Sequence, residues 1–138
     1  MLRLSKKVEY AILALQFISN KDDKFATAKE ISDSLEIPFE FLSKSLQTLM
    51  KKGILESQLG VRGGYQLARS PNKITIQEVI VALEGRSGLV DCTYKKSNET
   101  CDKIETCLLK NPMAVLQNRI NSIFKQTTIA QLSGEVKN

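Results

Sequence analysis

The hydrophobic period switches from helical to strand-like after Gly53, and that switch restricts the fold more than any other feature. Between Val8 and Leu49 apolar residues recur at helical steps in three short segments; after Gly53 two four-residue runs of strand character take over. The first segment carries Val8, Ala11, Ile12, Leu15 and Ile18, broadened by Leu13 and Phe17, and ends at Asn20 in a polar Lys-Asp-Asp-Lys turn. Thr27 with Glu30 predicts a capping box, in which hydroxyl and carboxylate satisfy the free amides of a second helix ending near Leu35. Pro38 suits the first turn of a third helix whose Leu42, Leu46 and Leu49 face inward. Gly53 stops it behind Lys51 and Lys52, which favour the negative end of the helix dipole.

Ile54–Ser57 and Tyr65–Ala68 then predict a hairpin whose loop carries an arginine among glycines. Thr75 and Glu78 open a further helix with Val79, Ile80 and Leu83 on its apolar side. No period persists from Glu84 to Lys110. Asn111-Pro112 predicts an N-cap and first helical position, followed by Met113, Leu116, Ile120, Ile123, Thr127 and Ala130 at alternating steps of three and four. The expected fold is mainly α with a small two-stranded β-wing: a winged helix-turn-helix plus a long C-terminal helix. We divide the chain into a winged domain over 1–84, a cysteine-bearing loop over 85–110, and a helix with its tail over 111–138.

Composition narrows the function. The 138 residues contain no histidine, which removes Ser-His and Cys-His catalytic pairs, an imidazole base and imidazole metal ligands. No nucleophile elbow, P-loop or dinucleotide fingerprint appears, so an enzyme is not expected. No apolar run reaches the ~20 residues of a membrane span, and a cytoplasmic address is the default. The net charge of +5 points to a polyanion, and residues 1–75, with 12 basic and 8 acidic side chains, hold most of the excess.

Double-stranded DNA fits that charge and that pattern. Ser43, Lys44, Gln47, Thr48 and Lys51 lie off the leucine stripe of the third helix, with Ser43 and Gln47 four apart on one face. Glutamine pairs with adenine, and lysine with guanine or phosphate. Arg62 on the hairpin loop, with Gly63 beside it, suits insertion into a minor groove. Thr27 and Lys29 stand where the second helix begins, a place that holds phosphate. The competing reading is an ordinary solvated face. Phe41 reads as core rather than as an exposed contact to a thymine methyl.

Cys92, Cys101 and Cys107 are spaced C-x8-C-x5-C within 16 residues of irregular chain. Three is an odd number and no pair forms a C-x-x-C dithiol, which argues against structural disulfides. Thiolates without histidine favour zinc or an iron–sulfur cluster, with a thiol redox switch as the alternative.

Together these residues resemble a known family, the IscR/NsrR/RirA-type winged-helix regulators, or Rrf-two family. The resemblance rests on Met-Leu-Arg-Leu-Ser and Glu9-Tyr10-Ala11, on the wing sequence Gly60-Val-Arg-Gly-Gly-Tyr-Gln-Leu-Ala68, on Ile76–Ile80 with Leu83-Glu84-Gly85, and on the cysteine triplet that follows. It covers nearly the whole chain. It implies a homodimeric transcription regulator, usually a repressor, reading a roughly palindromic operator and sensing iron–sulfur status, iron, nitric oxide or oxidants. The long C-terminal helix then pairs in the dimer, through Met113, Leu116, Ile120, Ile123 and Thr127. Major-groove reading falls to Ser43, Lys44 and Gln47, and minor-groove entry to Arg62.

The three cysteines carry over as cluster ligands. Relatives with a histidine fourth ligand place it three residues after the last cysteine, where this chain has Lys110. Others use an acidic residue near the start of the first helix of the partner subunit, a position matched by Glu9. A 4Fe–4S cluster is the first choice and 2Fe–2S the second. The alternatives are the same regulator with a thiol-redox or zinc site, and a cluster-carrying interaction or electron-transfer module.

Overall fold

In the computed structural model, residues 3–58, 63–85 and 108–135 are described. Helix α1 spans Lys6–Asn20, started by Ser5, whose hydroxyl accepts from the Val8 N–H at 3.3 Å. It buries Val8, Ala11, Ile12, Ala14, Leu15 and Ile18, the stripe its periodicity predicts. Strand β1, Phe25–Ala26, leads into α2, Ala28–Leu35. Thr27 caps α2 by accepting from the Glu30 N–H at 3.0 Å. The Glu30 carboxylate pairs instead with Lys21 at 2.7 Å, so only half of the expected capping box forms.

The turn between α2 and α3 is closed by one residue pair. The Ser32 hydroxyl donates to the Ile37 carbonyl at 2.6 Å, and the Ile37 N–H donates back to the Ser32 carbonyl at 3.1 Å. Glu36 between them takes a left-handed conformation, φ +56°. Helix α3 spans Phe39–Lys51, with Pro38 at the N-cap rather than inside the first turn. Leu42, Leu46 and Leu49 are fully buried, each worth about 1.5–3 kcal/mol of transfer free energy. At its end Gly53, φ +79°, donates to Met50, and the Ile54 N–H donates to the Leu49 carbonyl at 3.0 Å. This double closure needs a left-handed residue, and its apolar partners Ile54 and Leu49 are both buried.

Strands β2, Leu55–Gln58, and β3, Gly64–Leu67, form the wing with Glu56 opposite Gln66 and Ser57 opposite Tyr65. The sheet has three strands rather than two. β1 pairs antiparallel with β3, Phe25 opposite Gln66 and Ala26 opposite Tyr65, giving the order β1-β3-β2. A two-residue strand carries no periodicity of its own, and it forms because the wing's inner edge offers free backbone groups.

A 3-10 turn, Pro71–Lys73, precedes helix α4, Ile76–Glu84, whose Thr75–Glu78 capping box is complete. Helix α5 spans Lys110–Gln126 with Leu109 at its N-cap, two residues before the expected Asn111 cap and Pro112 start, so that Pro112 lies within its first turn. It stops short of the expected seam: Thr127 is the C-cap and Ile129 is fully buried in the core with Ile74 and Val79. One face of α5 turns inward through Gln117, buried and bonded to Asn121 at 2.9 Å, and through Phe124 against the core. Among the described residues no helix is long and apolar enough to cross a membrane.

Candidate nucleic-acid interface

The Ser32–Ile37 closure seats α2 against α3, and the buried leucines of α3 turn its opposite side outward. Lys44, Gln47 and Lys51 are exposed there, while Ser43 and Thr48 are half-buried on either flank. The Thr48 hydroxyl donates to the Lys44 carbonyl at 3.0 Å, so its proton is held within the helix and its oxygen remains an acceptor. Thr27 and Lys29 sit at the start of α2, Lys29 exposed and the Thr27 oxygen already accepting from the Glu30 N–H. Glu40 shares the face of Lys44, Gln47 and Lys51. Glu40 is neither a cation nor an amide and so stands outside the expected DNA contacts, although its i, i+4, i+7, i+11 spacing to Lys44, Gln47 and Lys51 marks it in the sequence.

Phe41 departs from the expectation of a core residue. Its ring remains 38% exposed and stands edge-on to Tyr10 of α1, centroids 5.6 Å apart. Lys6 lies 5.9 Å from the centre of that tyrosine ring, so a small aromatic and cationic patch joins α1 to the first turn of α3.

The wing is held close to the helix-turn-helix by β1. A Cβ on Gly64 would stand 2.6 Å from Phe25 Cζ and 2.8 Å from the Ala26 carbonyl oxygen, a contact only glycine allows. Gly63 is exposed immediately before it. On the outer face of the sheet Gln58, Gln66 and Glu56 form a side-chain ladder with 3.1 Å steps. Arg62, expected at the wing tip, lies outside the described residues, as do Cys92, Cys101 and Cys107.

Glu9 stands in the first turn of α1, 48% exposed and 3.2 Å from Lys6. It lines an open cleft of about 660 Å³ together with Arg3, Leu4, Ser5, Lys6 and Glu84. Glu84 ends α4, so this cleft adjoins the point where the chain enters the cysteine-bearing segment. The polar stripe containing Glu9 is not merely solvated, since Gln16 on it donates to the Leu132 carbonyl.

Along α5 and its N-cap, Leu109, Leu116 and Ile123 recur at seven-residue steps and are 60%, 42% and 60% exposed. Met113 and Ile120 beside them are half-buried. Thr127, expected to extend this seam, instead closes the helix, donating its hydroxyl to the Ile123 carbonyl at 2.8 Å.

A sequence profile of the Rrf2 family, iron-dependent transcriptional regulators, matches residues 4–135. The chain belongs to the Rrf2 family. Among similar proteins, a predicted helix-turn-helix transcriptional regulator of Aquifex aeolicus (strain VF5) is 33% identical over 93% of this chain and 89% of its own. The transcriptional regulator NsrR of Shouchella clausii (strain KSM-K16) is 27% identical over 95% of this chain and 88% of its own. The structure of CymR, the global cysteine regulator of B. subtilis, shares the fold with a TM-score of 0.74 at 21% identity, covering 99% of this chain and 100% of that one. This Rrf2 chain is thus a DNA-binding transcription regulator with a winged-helix fold.

Proposed function

We propose that this Rrf2 protein acts as a homodimeric repressor whose cysteine segment carries an iron–sulfur cluster. The observation that carries the DNA-reading half is α3. Its leucine stripe, Leu42, Leu46 and Leu49, is buried in the core, while Lys44, Gln47 and Lys51 are exposed on one face. In this reading Ser43, Lys44, Gln47, Thr48 and Lys51 enter the major groove, with Gln47 reading base edges and Lys51 neutralising phosphate. Thr27 and Lys29 hold the backbone at the start of α2. Arg62, with Gly63 beside it, enters the minor groove.

Dimerisation follows from the outer face of α5, where Leu109, Leu116 and Ile123 leave an apolar row in contact with water. A second copy of α5 covers such a row with its own identical residues, flanked by Met113 and Ile120. The two-fold axis sets two α3 helices on the half-sites of a roughly palindromic operator.

The donor set suits a cluster. Three thiols lie within 16 residues and the chain holds no imidazole. Cys92, Cys101 and Cys107 bind from one subunit and the partner subunit's Glu9 supplies the fourth donor, an oxygen where thiolate would be stronger. A 4Fe–4S cluster is preferred over 2Fe–2S. When bound, the cluster supplies a centre that oxidants or nitric oxide can attack, and its loss alters the segment that joins α4 to α5.

Anaerobic purification followed by a visible spectrum and iron, sulfide and zinc counts tests the sensor. Brown protein with equal iron and sulfide, bleached in Cys101→Ala, is the expected result. Colourless protein that iron and sulfide cannot reconstitute overturns the cluster and leaves a thiol or zinc sensor. For the DNA half, Lys51→Ala lowers the slope of log affinity against log salt by about one. An unchanged slope removes Lys51 from the interface.

A further inference from the structure

The exposed stripe of α3 contains one residue that its polyanionic partner does not explain. Glu40, Lys44, Gln47 and Lys51 follow one another along a single face, and Glu40 occupies the first turn. That turn is the part of a recognition helix that approaches base edges most closely. The Glu40 carboxylate is exposed, and none of the ion pairs among the described residues involves it. In the free protein its charge favours the positive end of the helix dipole. Against a duplex the same charge faces a row of phosphates, and binding is weakened unless the carboxylate meets a donor.

An ionised carboxylate only accepts hydrogen bonds, so it requires an amino group. The major groove offers two: N4 of cytosine, and N6 of adenine with the acceptor N7 beside it on the same base. That N7 repels a second carboxylate oxygen, whereas cytosine presents its amino group without one. Lys44, four residues along the same face, is the complement, because the guanine paired with that cytosine presents the acceptors O6 and N7. A carboxylate and an ammonium at this spacing match the donor and acceptor edges of a C·G pair.

We infer that Glu40 is a specificity determinant: it accepts from the N4 amino group of one cytosine in each half-site and rejects other bases by standing unpaired against them. This rests on the reading of α3 as the recognition helix. A merely structural role, in which Glu40 supports the helix start, alters stability and leaves base preference untouched.

The 138-residue chain, reconstituted anaerobically with iron and sulfide, is used to enrich duplexes from a randomised library, and single-site duplexes are then titrated. The probes carry each base pair at the deduced position, and one carries pyrimidin-2-one, which lacks the amino group, in place of cytosine. Wild type is expected to lose about 5- to 150-fold in affinity on that replacement. Glu40→Ala binds all these duplexes within about twofold of one another while keeping its other base preferences, and Glu40→Gln shifts the preference to adenine, the base that glutamine's amide matches. An enriched site with no cytosine that matters, or a Glu40→Ala variant that keeps the cytosine preference, overturns the inference and leaves α3 as the reader. Failure of wild type to enrich any sequence overturns the recognition-helix reading, and this inference falls with it.

Discussion

The backbone N–H of Ile129 donates to the carbonyl of Ile74 at 2.9 Å, and both side chains are fully buried. The Ile76 N–H donates to the Thr127 carbonyl at 2.9 Å, and Thr75 and Thr128 form an antiparallel bridge between them. The chain that leaves α5 is therefore stitched to the segment that opens α4. One end of the outward-facing helix is anchored in the core of the DNA-reading unit.

Ile129→Ala tests that anchor. Removing a fully buried isoleucine side chain so near the C-terminus is expected to cost about 2–5 kcal/mol. Urea unfolding followed by circular dichroism should show a lower midpoint with an unchanged slope. A midpoint equal to that of wild type shows that the segment after α5 is not docked.

Gly64→Ala places a methyl group against β1. The Phe25 ring, 2.6 Å from the new Cβ, can turn aside, but the Ala26 carbonyl oxygen at 2.8 Å belongs to the paired backbone and cannot. A loss of about 1–3 kcal/mol in thermal or urea unfolding is expected. Full wild-type stability means that β1 does not lie against the wing.

Glu78 couples stability to pH. Burial pushes its pKa upward, but the hydrogen bond from the Thr75 backbone N–H and the Arg69 guanidinium at 2.8 Å outweigh that, leaving it below its ordinary value of 4.5. A carboxylate whose folded pKa is depressed contributes stability that is present above the unfolded value and is lost as pH falls through the folded one. Wild type should therefore exceed Glu78→Gln in stability near neutral pH, and the gap should shrink as the pH falls below the ordinary value of 4.5 and through the lower folded one. A gap independent of pH assigns the effect to packing. Thr75→Ala removes the other half of the capping box and should cost about 0.5–2 kcal/mol at neutral pH.

Leu116→Asp and Ile123→Asp address the outer face of α5, where these side chains are 42% and 60% exposed. Because neither belongs to the core, helicity should be retained while sedimentation shows a monomer. Operator affinity should fall with it, since two joined half-sites then become two separate binding events. A variant that remains dimeric places the interface elsewhere.

The four helices of the DNA-reading unit were legible in the sequence because each is a local object. A cap, a 3.6-residue apolar stripe and a glycine stop lie within about a dozen residues of one another, and Thr27, Thr75 and Gly53 perform those roles in the structure. Lys44, Gln47 and Lys51 were legible for the same reason, since a helix with a leucine stripe dictates which residues remain outside. What the sequence by itself determined about this protein is thus the identity of its helices and the polar face of α3.

Only the tertiary structure decided the rest, because those features depend on partners distant in the chain. Phe25–Ala26 is a strand only because β3 lies beside it, and Gly64 is required only because the two approach so closely. Phe41 stays partly exposed and meets Tyr10 of α1 in a T-shaped contact, a pairing of two helices distant in the chain. Thr127 has the right spacing for the α5 seam, yet the Ile76 N–H and the cavity that Ile129 fills end the helix before it. Periodicity records which residues share a face; burial against a remote segment decides whether that face continues, and the free energy of filling the core outweighs one more helical turn.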